Sequence, residues 1–334
     1  METKICPADG ESLRLAKQYI EEGGVVAFHT ETVYGLGANA LNGEAVQRIF
    51  ALKGRPADNP LIAHVHSDYD ISSLVDYIPD YTLKLREAFL PGPLTMVYPS
   101  TGKVSPFVSC GLNTLAIRVP SSMTAQRFLR KVNLPIAAPS ANLSKHVSPV
   151  TAQHVYDDFA GKIPLILDGG ACSGGIESTV LDCTGEVPMI LRAGLVTREE
   201  IASVAGDCLT YHIQEGEKPK SPGMAYKHYA PRCKTILCQN VSEAQKRFDE
   251  EEARGGRAYI LCESGRIAGL KVKGNRVLDL GSTQAQMASR LYDLLRKREG
   301  TATLIIAITP KERGGAMEGV LNRLVRACGG NLET

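Results

Sequence analysis

The composition of this chain excludes several classes of protein before any motif is considered. Its 334 residues are 43% hydrophobic and 22% charged, with a formal net charge of +2, which is typical of a folded protein rather than a disordered chain or a strongly basic nucleic-acid binder. No apolar run approaches the roughly 20 residues of a membrane span, and the first residues lack a signal peptide's apolar segment. We therefore expect a cytoplasmic protein without membrane contact, built as one large and one smaller domain.

The first elements place polar groups just beyond a strand. The pattern predicts a helix over 11–22 and a short apolar strand over 25–29, followed by Thr30–Thr32 and a predicted turn at Gly35–Gly37. Ligands of open α/β sheets bind beyond strand ends. The stretch is therefore predicted to form part of a ligand site.

A basic loop is predicted after the second helix. Asn42 offers an N-cap and Gly54 a stop, so Lys53 and Arg55 are predicted to lie in a loop, to point the same way and to face an anion, with Asn59 close behind. The alternative is that these two basic residues only complement the helix dipole, as is common at a helix C-terminus.

The rest of the N-terminal part alternates strands and helices. The predicted strands cover residues 60–66, the end of 91–99, 114–119, 134–138, 163–170, 177–183 and 189–192. The predicted helices cover 77–89, 121–132 and 148–159. Polar residues recur beside the strand ends, as in a crevice site.

Arg118 is unusual because it lies inside a predicted strand. An arginine in a strand is most often on a solvated face. Pro120 ends this strand at once, which places Arg118 at the rim of the sheet.

Regular patterning lapses between residues 206 and 231, which predicts a domain boundary. Within it, SPGMAYKHYAP (221–231) has two prolines and two tyrosines and is expected to follow a defined extended path, suited to a lid. Beyond it, strands (235–238, 258–262, 276–280, 302–308) alternate with helices (242–252, 284–298, 316–327). This alternation predicts a small parallel-sheet domain, and the absence of G-x-G-x-x-G gives no reason to assign it a nucleotide.

Common catalytic and metal motifs are missing. The chain lacks G-x-x-x-x-G-K-[ST], H-E-x-x-H and G-x-S-x-G, and its nine cysteines include no C-x-x-C pair, so we expect reduced, mostly structural thiols. His64 and His66 are spaced so that both side chains of a strand could bind one metal ion, but no third metal ligand lies nearby in the sequence. A reaction that displaces pyrophosphate needs mainly positioning and charge neutralisation, which cations, hydroxyls and backbone N–H groups supply.

Two motifs together indicate a family. HTETVYGLGA (29–38) followed by KGRPADNPL (53–61) closely resembles the YrdC-type threonylcarbamoyl-AMP synthases, and SPGMAYKHYAP resembles the linker of their long form. The resemblance covers nearly the whole chain. It implies an α/β fold with a large YrdC-like twisted-sheet catalytic domain (1–205), a linker or lid (206–234) and a smaller Rossmann-like parallel α/β domain (235–334).

The resemblance also implies site residues and a reaction. Lys53 and Arg55 would be catalytic, and Arg118 would hold the carboxylate of L-threonine. The full threonine set would be Thr32, His64, Arg118, Ala138 and Ser178. The ATP set would be Lys53, Arg55, Asn59, Thr114, Ser140, Asn142, Ser148, Arg192 and Tyr229.

The implied enzyme joins L-threonine, bicarbonate and ATP, with Mg²⁺, into threonylcarbamoyl-AMP and pyrophosphate. The product would pass to a tRNA threonylcarbamoyl-transferase, and any direct tRNA contact is expected to be weak and local. One departure is His29, where the family usually has proline, which puts in doubt the approach of this strand to Thr30 and Thr32.

Two other function classes remain as alternatives. A carbamoyltransferase of the hydrogenase-maturation type shares the YrdC-like domain, but it would bring zinc-finger cysteine pairs and an acylphosphatase-like region that this chain lacks. An RNA-binding module would need a basic face with exposed aromatic residues, whereas the chain has no tryptophan and 6% aromatic residues.

Overall fold

The computed structural model describes residues 1–56, 59–211 and 229–329. It confirms the predicted fold class, with a large mixed sheet and a second, small parallel sheet. The described chain forms two compact units. The first contains residues 1–56, 59–144, 149–173 and 177–211, and the second contains 145–148, 174–176 and 229–329.

The first unit is built on one mixed sheet. Its strands are β1 (Lys4–Pro7), β2 (Val26–Phe28), β3 (Gly35–Asn39), β4 (Ile62–His64), β5 (Leu94–Pro99), β6 (Thr114–Arg118), β7 (Ile136–Ala138), β8 (Leu165–Asp168), β9 (Thr179–Asp182), β10 (Met189–Arg192) and β11 (Leu209–Thr210). Across the sheet they follow the order β1-β8-β2-β3-β7-β4-β6-β5-β9-β10-β11. Strands distant in sequence therefore become neighbours at its centre.

Helices cover this sheet and supply its hydrophobic core. They are α1 (Gly10–Glu21), α2 (Gly43–Lys53), α3 (Asp80–Phe89), α4 (Pro106–Ser109), α5 (Met123–Val132), α6 (Ala152–Phe159) and α7 (Arg198–Ala205). Ile20 of α1 and Phe128 of α5 pack in one cluster with Phe28 of β2, and all three side chains are fully buried. Each buried side chain of this kind contributes about 1.5–3 kcal/mol.

The register of β4, β6 and β7 sets the position of the candidate site. His64 pairs with Arg118 in the parallel neighbour β6 and with Ile136 in the antiparallel neighbour β7. At the other end of β4, Ile62 pairs with Ala138. The carboxyl ends of β4 and β6 therefore lie side by side. Because β7 is antiparallel to β4, the residues that follow β7 lie toward the amino end of β4.

The predicted turn at Gly35–Gly37 is wrong, because these residues form strand β3 between β2 and β7. The glycines serve close packing rather than a turn. A Cβ on Gly37 would lie 2.7 Å from Cγ2 of Ile136 and 2.9 Å from Cε1 of Phe28, closer than atoms in a packed core approach.

The predicted loop after α2 is only partly correct. Asn42 caps the helix and Gly54 ends it in a left-handed conformation, as predicted, but Lys53 is the last helical residue and not part of a loop. The ammonium of Lys53 donates to backbone carbonyls of the 140–142 segment, whereas Arg55 donates to carbonyls of Asn59 and Pro60. The two cations are therefore not presented as a bare pair.

Other predicted boundaries are displaced and some elements were missed. The helix predicted from residue 148 begins at Ala152, because Thr151 caps it, and the one predicted from 77 begins after Pro79. The sequence patterns missed β1, α4, α7 and β11, the last within a stretch predicted to lack strands. For α7 a signal existed, since Thr197 and Glu200 form a capping box.

The second unit contains the predicted parallel sheet. Its strands β12 (Lys234–Cys238), β13 (Ala258–Cys262), β14 (Val277–Asp279) and β15 (Leu304–Ile308) are ordered β12-β15-β13-β14, with every pair parallel. Its helices are α8 (Val241–Ala253), α9 (Ser264–Ile267), α10 (Gln284–Glu299) and α11 (Met317–Ala327), with a 3₁₀ turn at Gly274–Arg276. The strands and longer helices have boundaries close to those predicted.

Two further observations concern membranes and metals. Among the helices of the described ranges, none combines the length and apolar character that crossing a bilayer requires. His64 and His66 do not act as a metal pair with other residues, since the described part of the chain contains no group of three or more His, Cys, Asp or Glu side chains suited to a metal ion.

The close packing around β3 generates a stability prediction. Gly37→Ala should lower the free energy of unfolding of the first unit by about 1–3 kcal/mol, because the added methyl group must displace Ile136 or Phe28. Urea unfolding followed by circular dichroism measures this. Gly10→Ala is the matched control, because its Cβ would meet nothing nearer than 3.8 Å. Equal midpoints for the two variants would contradict the packing role of Gly37.

Candidate active site

A buried arginine lies at the centre of the candidate site. Arg118, at the carboxyl end of β6, is only 4% exposed, so it does not lie on the solvated face where an arginine in a strand is most often found. Its Nη2 donates to Oε1 of Glu31 at 2.7 Å, its Nη1 to the hydroxyl of Thr32 at 2.8 Å and its Nε to the carbonyl of Gly92 at 3.5 Å. A guanidinium has five N–H donors, so one donor on each Nη atom is left for a ligand.

Glu31 compensates the charge of Arg118. Burial alone would raise the pKa of its carboxyl group, but the adjacent guanidinium of Arg118 outweighs this and lowers the pKa below its ordinary value of 4.5. The other carboxylate oxygen accepts the backbone N–H of Ser121 at 3.1 Å. Glu31 therefore stays ionised at neutral pH and connects Arg118 to the start of α5.

Two threonine hydroxyls form a directed chain beside Arg118. The hydroxyl of Thr30 donates to the carbonyl of Val33 at 2.6 Å and lies 2.9 Å from the hydroxyl of Thr32. Because the proton of Thr30 is used, Thr32 donates to Thr30 and accepts from Arg118. Thr32, predicted to contact threonine, is thus oriented by both neighbours.

His64 presents a neutral imidazole next to Arg118. Its burial, reinforced by the positive charge of Arg118, lowers its pKa to about 3. Nδ1 lies 3.1 Å from the carbonyl of Ile62 and must carry the proton, since a carbonyl only accepts. At neutral pH this wall of the site therefore adds no second positive charge beside Arg118.

A hydroxyl chain connects two more of the predicted residues. Thr95 of β5 pairs with Arg118 across the sheet, and its hydroxyl lies 2.8 Å from that of Ser178. Arg192 donates from Nη2 to the carbonyl of Ser178 at 2.9 Å and to its hydroxyl at 3.2 Å. Ser178 and Arg192, assigned to different substrates by the family resemblance, are therefore in direct contact.

A second group lies toward the opposite end of β4. Lys53 is 3% exposed, and its Nζ donates to the backbone carbonyls of Ser140 and Asn142. Ser140 also forms an isolated bridge with Gly35. Lys53, at the end of α2, therefore holds in place the loop that carries Ser140 and Asn142, two residues of the predicted ATP set.

Arg55 and Asn59 lie beside the start of β4. Arg55 donates to the carbonyl of Asn59 at 3.0 Å. Asn59 is 2% exposed, and its Oδ1 is buried without a hydrogen-bond partner among the described residues. A buried acceptor of this kind costs free energy unless it is satisfied, which makes it a candidate contact for a ligand donor or cation.

The two groups lie at opposite ends of the same strands. Arg118 ends β6 and Thr114 begins it, and four strand residues at about 3.3 Å each span about 13 Å. Ala138, 3% exposed, lies between these ends, opposite Ile62. The site is therefore elongated, with the predicted threonine residues mainly at one end and the predicted ATP residues mainly at the other.

Two predicted ATP residues belong to the second unit. Ser148 is fully buried, and Tyr229 stacks on Tyr292 with ring centroids 5.6 Å apart. Their contact with ATP stays a prediction. The lid prediction rests largely on residues 212–228, which lie outside the described ranges.

His29, the departure from the family pattern, is buried beside the site. Its Nδ1 lies 2.6 Å from the hydroxyl of Ser122, the N-cap of α5, and burial lowers its pKa. A Cβ on Gly169 would lie 2.6 Å from Cγ of His29. The imidazole is thus accommodated by a glycine that leaves room for it.

Sequence patterns did not single out Glu31 and Thr95 as site residues. Glu31 lies in the HTETVYGLGA motif that indicated the family. An acidic residue in that motif could have been considered as a partner for the charge of Arg118. Thr95 contacts Ser178, 83 residues later in the chain, and no local pattern encodes that contact.

The described residues offer few side chains for a metal ion. They include no cluster of three or more metal-binding side chains, so they do not form a protein cage. Mg²⁺ commonly retains waters and is bound through substrate phosphates with few protein ligands. The buried Oδ1 of Asn59 fits such a sparse arrangement.

Comparison with known proteins identifies matches over both units. The family model Sua5_yciO_yrdC, described as telomere recombination, matches residues 18–194. The model described as "Threonylcarbamoyl-AMP synthase, C-terminal domain" matches residues 196–329. Together the two models span most of the chain.

Individual relatives match at nearly full length. The threonylcarbamoyl-AMP synthase of Pyrococcus abyssi is 41% identical over 324 residues, which cover 95% of this chain and 94% of the relative. That of Bacillus subtilis is 41% identical over 327 residues, covering 95% and 93%. The crystal structure of P. abyssi Sua5 complexed with L-threonine superposes with a TM-score of 0.90 at 38% identity, covering 98% of this chain and 97% of that one.

The Arg118–Glu31 pair generates a pH-dependent stability prediction. Glu31→Gln should lower the free energy of unfolding at pH 7 by about 3 kcal/mol, because Arg118 is left buried and uncompensated. Since the folded pKa of Glu31 is depressed, the wild type should hold its advantage above pH 4.5 and lose it as the pH falls through the folded pKa. Urea unfolding at a series of pH values, from about 7 down to about 3, measures the difference.

The control for this experiment is Glu87→Gln, an exposed carboxylate on α3. Its stability difference from the wild type should be small at every pH. A Glu31→Gln difference that stays constant down to the lowest pH would show that Glu31 does not carry the proposed charge compensation.

Proposed function

Because the chain belongs to the threonylcarbamoyl-AMP synthase family, we propose that the site in its first unit joins L-threonine, bicarbonate and ATP into threonylcarbamoyl-AMP and pyrophosphate. The protein is a threonine-dependent nucleotidyltransferase of tRNA threonylcarbamoyladenosine modification. The observation that carries the assignment of the site is the buried Arg118, with two spare N–H donors, at one end of an elongated group of polar residues.

The end of the site around Arg118 fits the amino acid. A threonine carboxylate can accept the two remaining N–H donors of the guanidinium while Glu31 stays bound, which gives a charge-assisted, geometrically specific contact. Thr32 and Ser178 supply hydroxyls at the same end, and neutral His64 closes it without adding charge. L-Threonine bound to the P. abyssi relative supports this assignment.

The other end of the site fits the nucleotide. Lys53, Arg55 and Asn59 gather there with the Ser140–Asn142 loop, and Thr114 begins the neighbouring strand. Cations and polar side chains of this kind neutralise phosphate charge and bind ribose or base atoms. Arg192, in contact with Ser178, lies where both substrates can be reached.

The reaction needs the two ends to meet. The amine of threonine and bicarbonate combine with loss of water to give a carbamate, whose oxygen attacks the α-phosphorus of ATP and displaces pyrophosphate. No enzyme nucleophile is required, so the residues act by positioning the carbamate and stabilising negative charge. We assign Lys53 and Arg55 to the phosphates, as the catalytic cations.

Mg²⁺ would enter with ATP. When bound to the phosphate oxygens it neutralises part of the charge that builds on the leaving pyrophosphate. Among the described residues, Asn59, with its buried Oδ1, is suited to contact it.

The remaining assignments concern the rest of the chain and its partners. We assign catalysis to 1–205, a linker or lid to 206–234 and a Rossmann-like domain to 235–334, with Ser148 and Tyr229 contacting ATP. The adenylate would pass in the cytoplasm to a transferase that modifies tRNA, with at most weak contact between this protein and tRNA itself.

Pyrophosphate release tests the reaction. With ATP and Mg²⁺, release should require threonine and bicarbonate together, AMP should be retained in a labile product, and carbamoyl phosphate should have no effect. A coupled pyrophosphate assay with single omissions measures this. Release at the same rate without threonine would refute the proposal.

Substitution of Arg118 tests how the substrates are divided between the two ends. Arg118→Ala should weaken threonine binding by on the order of 2–4 kcal/mol, because a charge-assisted pair is lost, while ATP binding changes little. Calorimetry with each substrate measures both affinities, and circular dichroism checks the fold. Arg127→Ala, an exposed arginine of α5, is the control. Lower ATP affinity with unchanged threonine affinity would assign Arg118 to the phosphates instead.

A further inference from the structure

The second unit contains a cluster of three arginines around one tyrosine. Arg257 directly precedes β13, Arg276 directly precedes β14, and Arg298 lies in the last turn of α10. Tyr259 is the second residue of β13. All three arginines therefore lie at the amino-terminal edge of the small parallel sheet, close enough for their charges to act on Tyr259, and we refer to Arg257, Arg276, Arg298 and Tyr259 as the arginine cluster.

Aromatic rings hold two of these guanidinium groups in place. The guanidinium carbon of Arg298 lies 5.0 Å from the ring centroid of Tyr259. That of Arg276 lies 5.2 Å from the same ring and 5.6 Å from the ring of Phe248. Stacking fixes the planes of the groups, so less side-chain entropy is lost when their N–H donors bind a ligand.

The positive charge of the cluster is only partly compensated. Arg276 forms an ion pair with Glu252, whose other oxygen accepts the backbone N–H of Ala258 at 2.8 Å. Within residues 1–56, 59–211 and 229–329, neither Arg257 nor Arg298 forms an ion pair, and the buried Nε of Arg298 has no hydrogen-bond partner. Two positive charges thus remain close together at this edge of the sheet and create a field that attracts an anion.

The pKa of the Tyr259 phenol is affected by the same positive charges. Burial alone would raise its pKa, but hydrogen bonding with Thr301 and the charges of Arg257, Arg298 and Arg276 together lower the pKa below 10. Neighbouring positive charge favours the phenolate in this way. The groups around the hydroxyl are therefore arranged to stabilise negative charge.

We propose that the arginine cluster binds a phosphate group. Free phosphate or a phosphate monoester carries up to two negative charges, and two neighbouring phosphodiesters of a polynucleotide carry two between them. Either matches the uncompensated charge of Arg257 and Arg298, whereas a single carboxylate would leave one charge over. Guanidinium forks bind phosphate oxygens in bidentate fashion. The phosphate belongs either to a free phosphate compound or to a polynucleotide backbone, and the rings, being covered by guanidinium groups, do not read bases.

Two binding measurements on the full chain test the site. Inorganic phosphate is titrated by calorimetry, and a labelled single-stranded RNA oligonucleotide is titrated by fluorescence anisotropy. Arg257→Gln and Arg298→Gln should each weaken binding about tenfold, the loss of one charge-assisted hydrogen bond. Arg290→Gln, an exposed arginine on α10, should change binding little.

The salt dependence separates the two sources. If the ligand is a polynucleotide, each arginine variant should also reduce the slope of log affinity against log salt by about 0.7. Phosphate binding that is lost in both variants, without RNA binding, supports a site for a small phosphate compound. Equal loss in Arg290→Gln, or no binding of either probe at millimolar phosphate and micromolar RNA, would overturn the proposal.

The titration of Tyr259 provides a readout that a purely structural stack would not give. The ultraviolet titration of the wild type minus that of Tyr259→Phe isolates this phenol. A bound phosphate screens the arginines and disfavours the phenolate, so saturating phosphate should raise the pKa of Tyr259. An unchanged pKa in phosphate, compared with chloride at the same ionic strength, would place the anion elsewhere and overturn the assignment.

Discussion

The burial of one guanidinium group constrains the whole first unit. Arg118 lies at the centre of the sheet with 4% of its surface exposed, and a buried charge without a partner costs several kcal/mol. Glu31 must therefore stand beside it, and Thr32 must accept its second hydrogen bond. This requirement fixes the loop between β2 and β3. Through the second oxygen of Glu31 and Ser121, it also fixes the start of α5.

The same requirement gives the site its chemical character. Arg118 keeps two donors free because its other three are satisfied, and its charge helps to keep His64 neutral. A carboxylate bound here would meet one positive centre of fixed orientation. The opposite end of the strands is organised differently, since the ammonium of Lys53 donates to backbone carbonyls of the loop at residues 140–142. At that end a cation and a loop hold each other in position, whereas at the Arg118 end a cation is held by a carboxylate and a hydroxyl.

Local patterns predicted local structure well and long-range contacts poorly. Asn42 and Gly54 marked both ends of α2, and alternation alone predicted the strands of the second unit. The glycines of β3 were misread because a glycine signals a turn in sequence, whereas in β3 it serves the close approach of Phe28 and Ile136. The burial of Arg118 could not be read from its own strand, because its partner Glu31 lies 87 residues away. The site residues themselves came from the family resemblance, and geometry added Glu31 and Thr95 to them.

The buried cations of the first unit differ from the arginine cluster of the second in how their charge is compensated. In the first unit the buried cations Lys53 and Arg118 are satisfied by carbonyls, a hydroxyl and a carboxylate of the same fold. Around Tyr259, three guanidinium groups share a single carboxylate, although stacking holds them close together. A bound anion would be stabilised by this concentration of positive charge, and by mass action it would in turn stabilise the folded second unit.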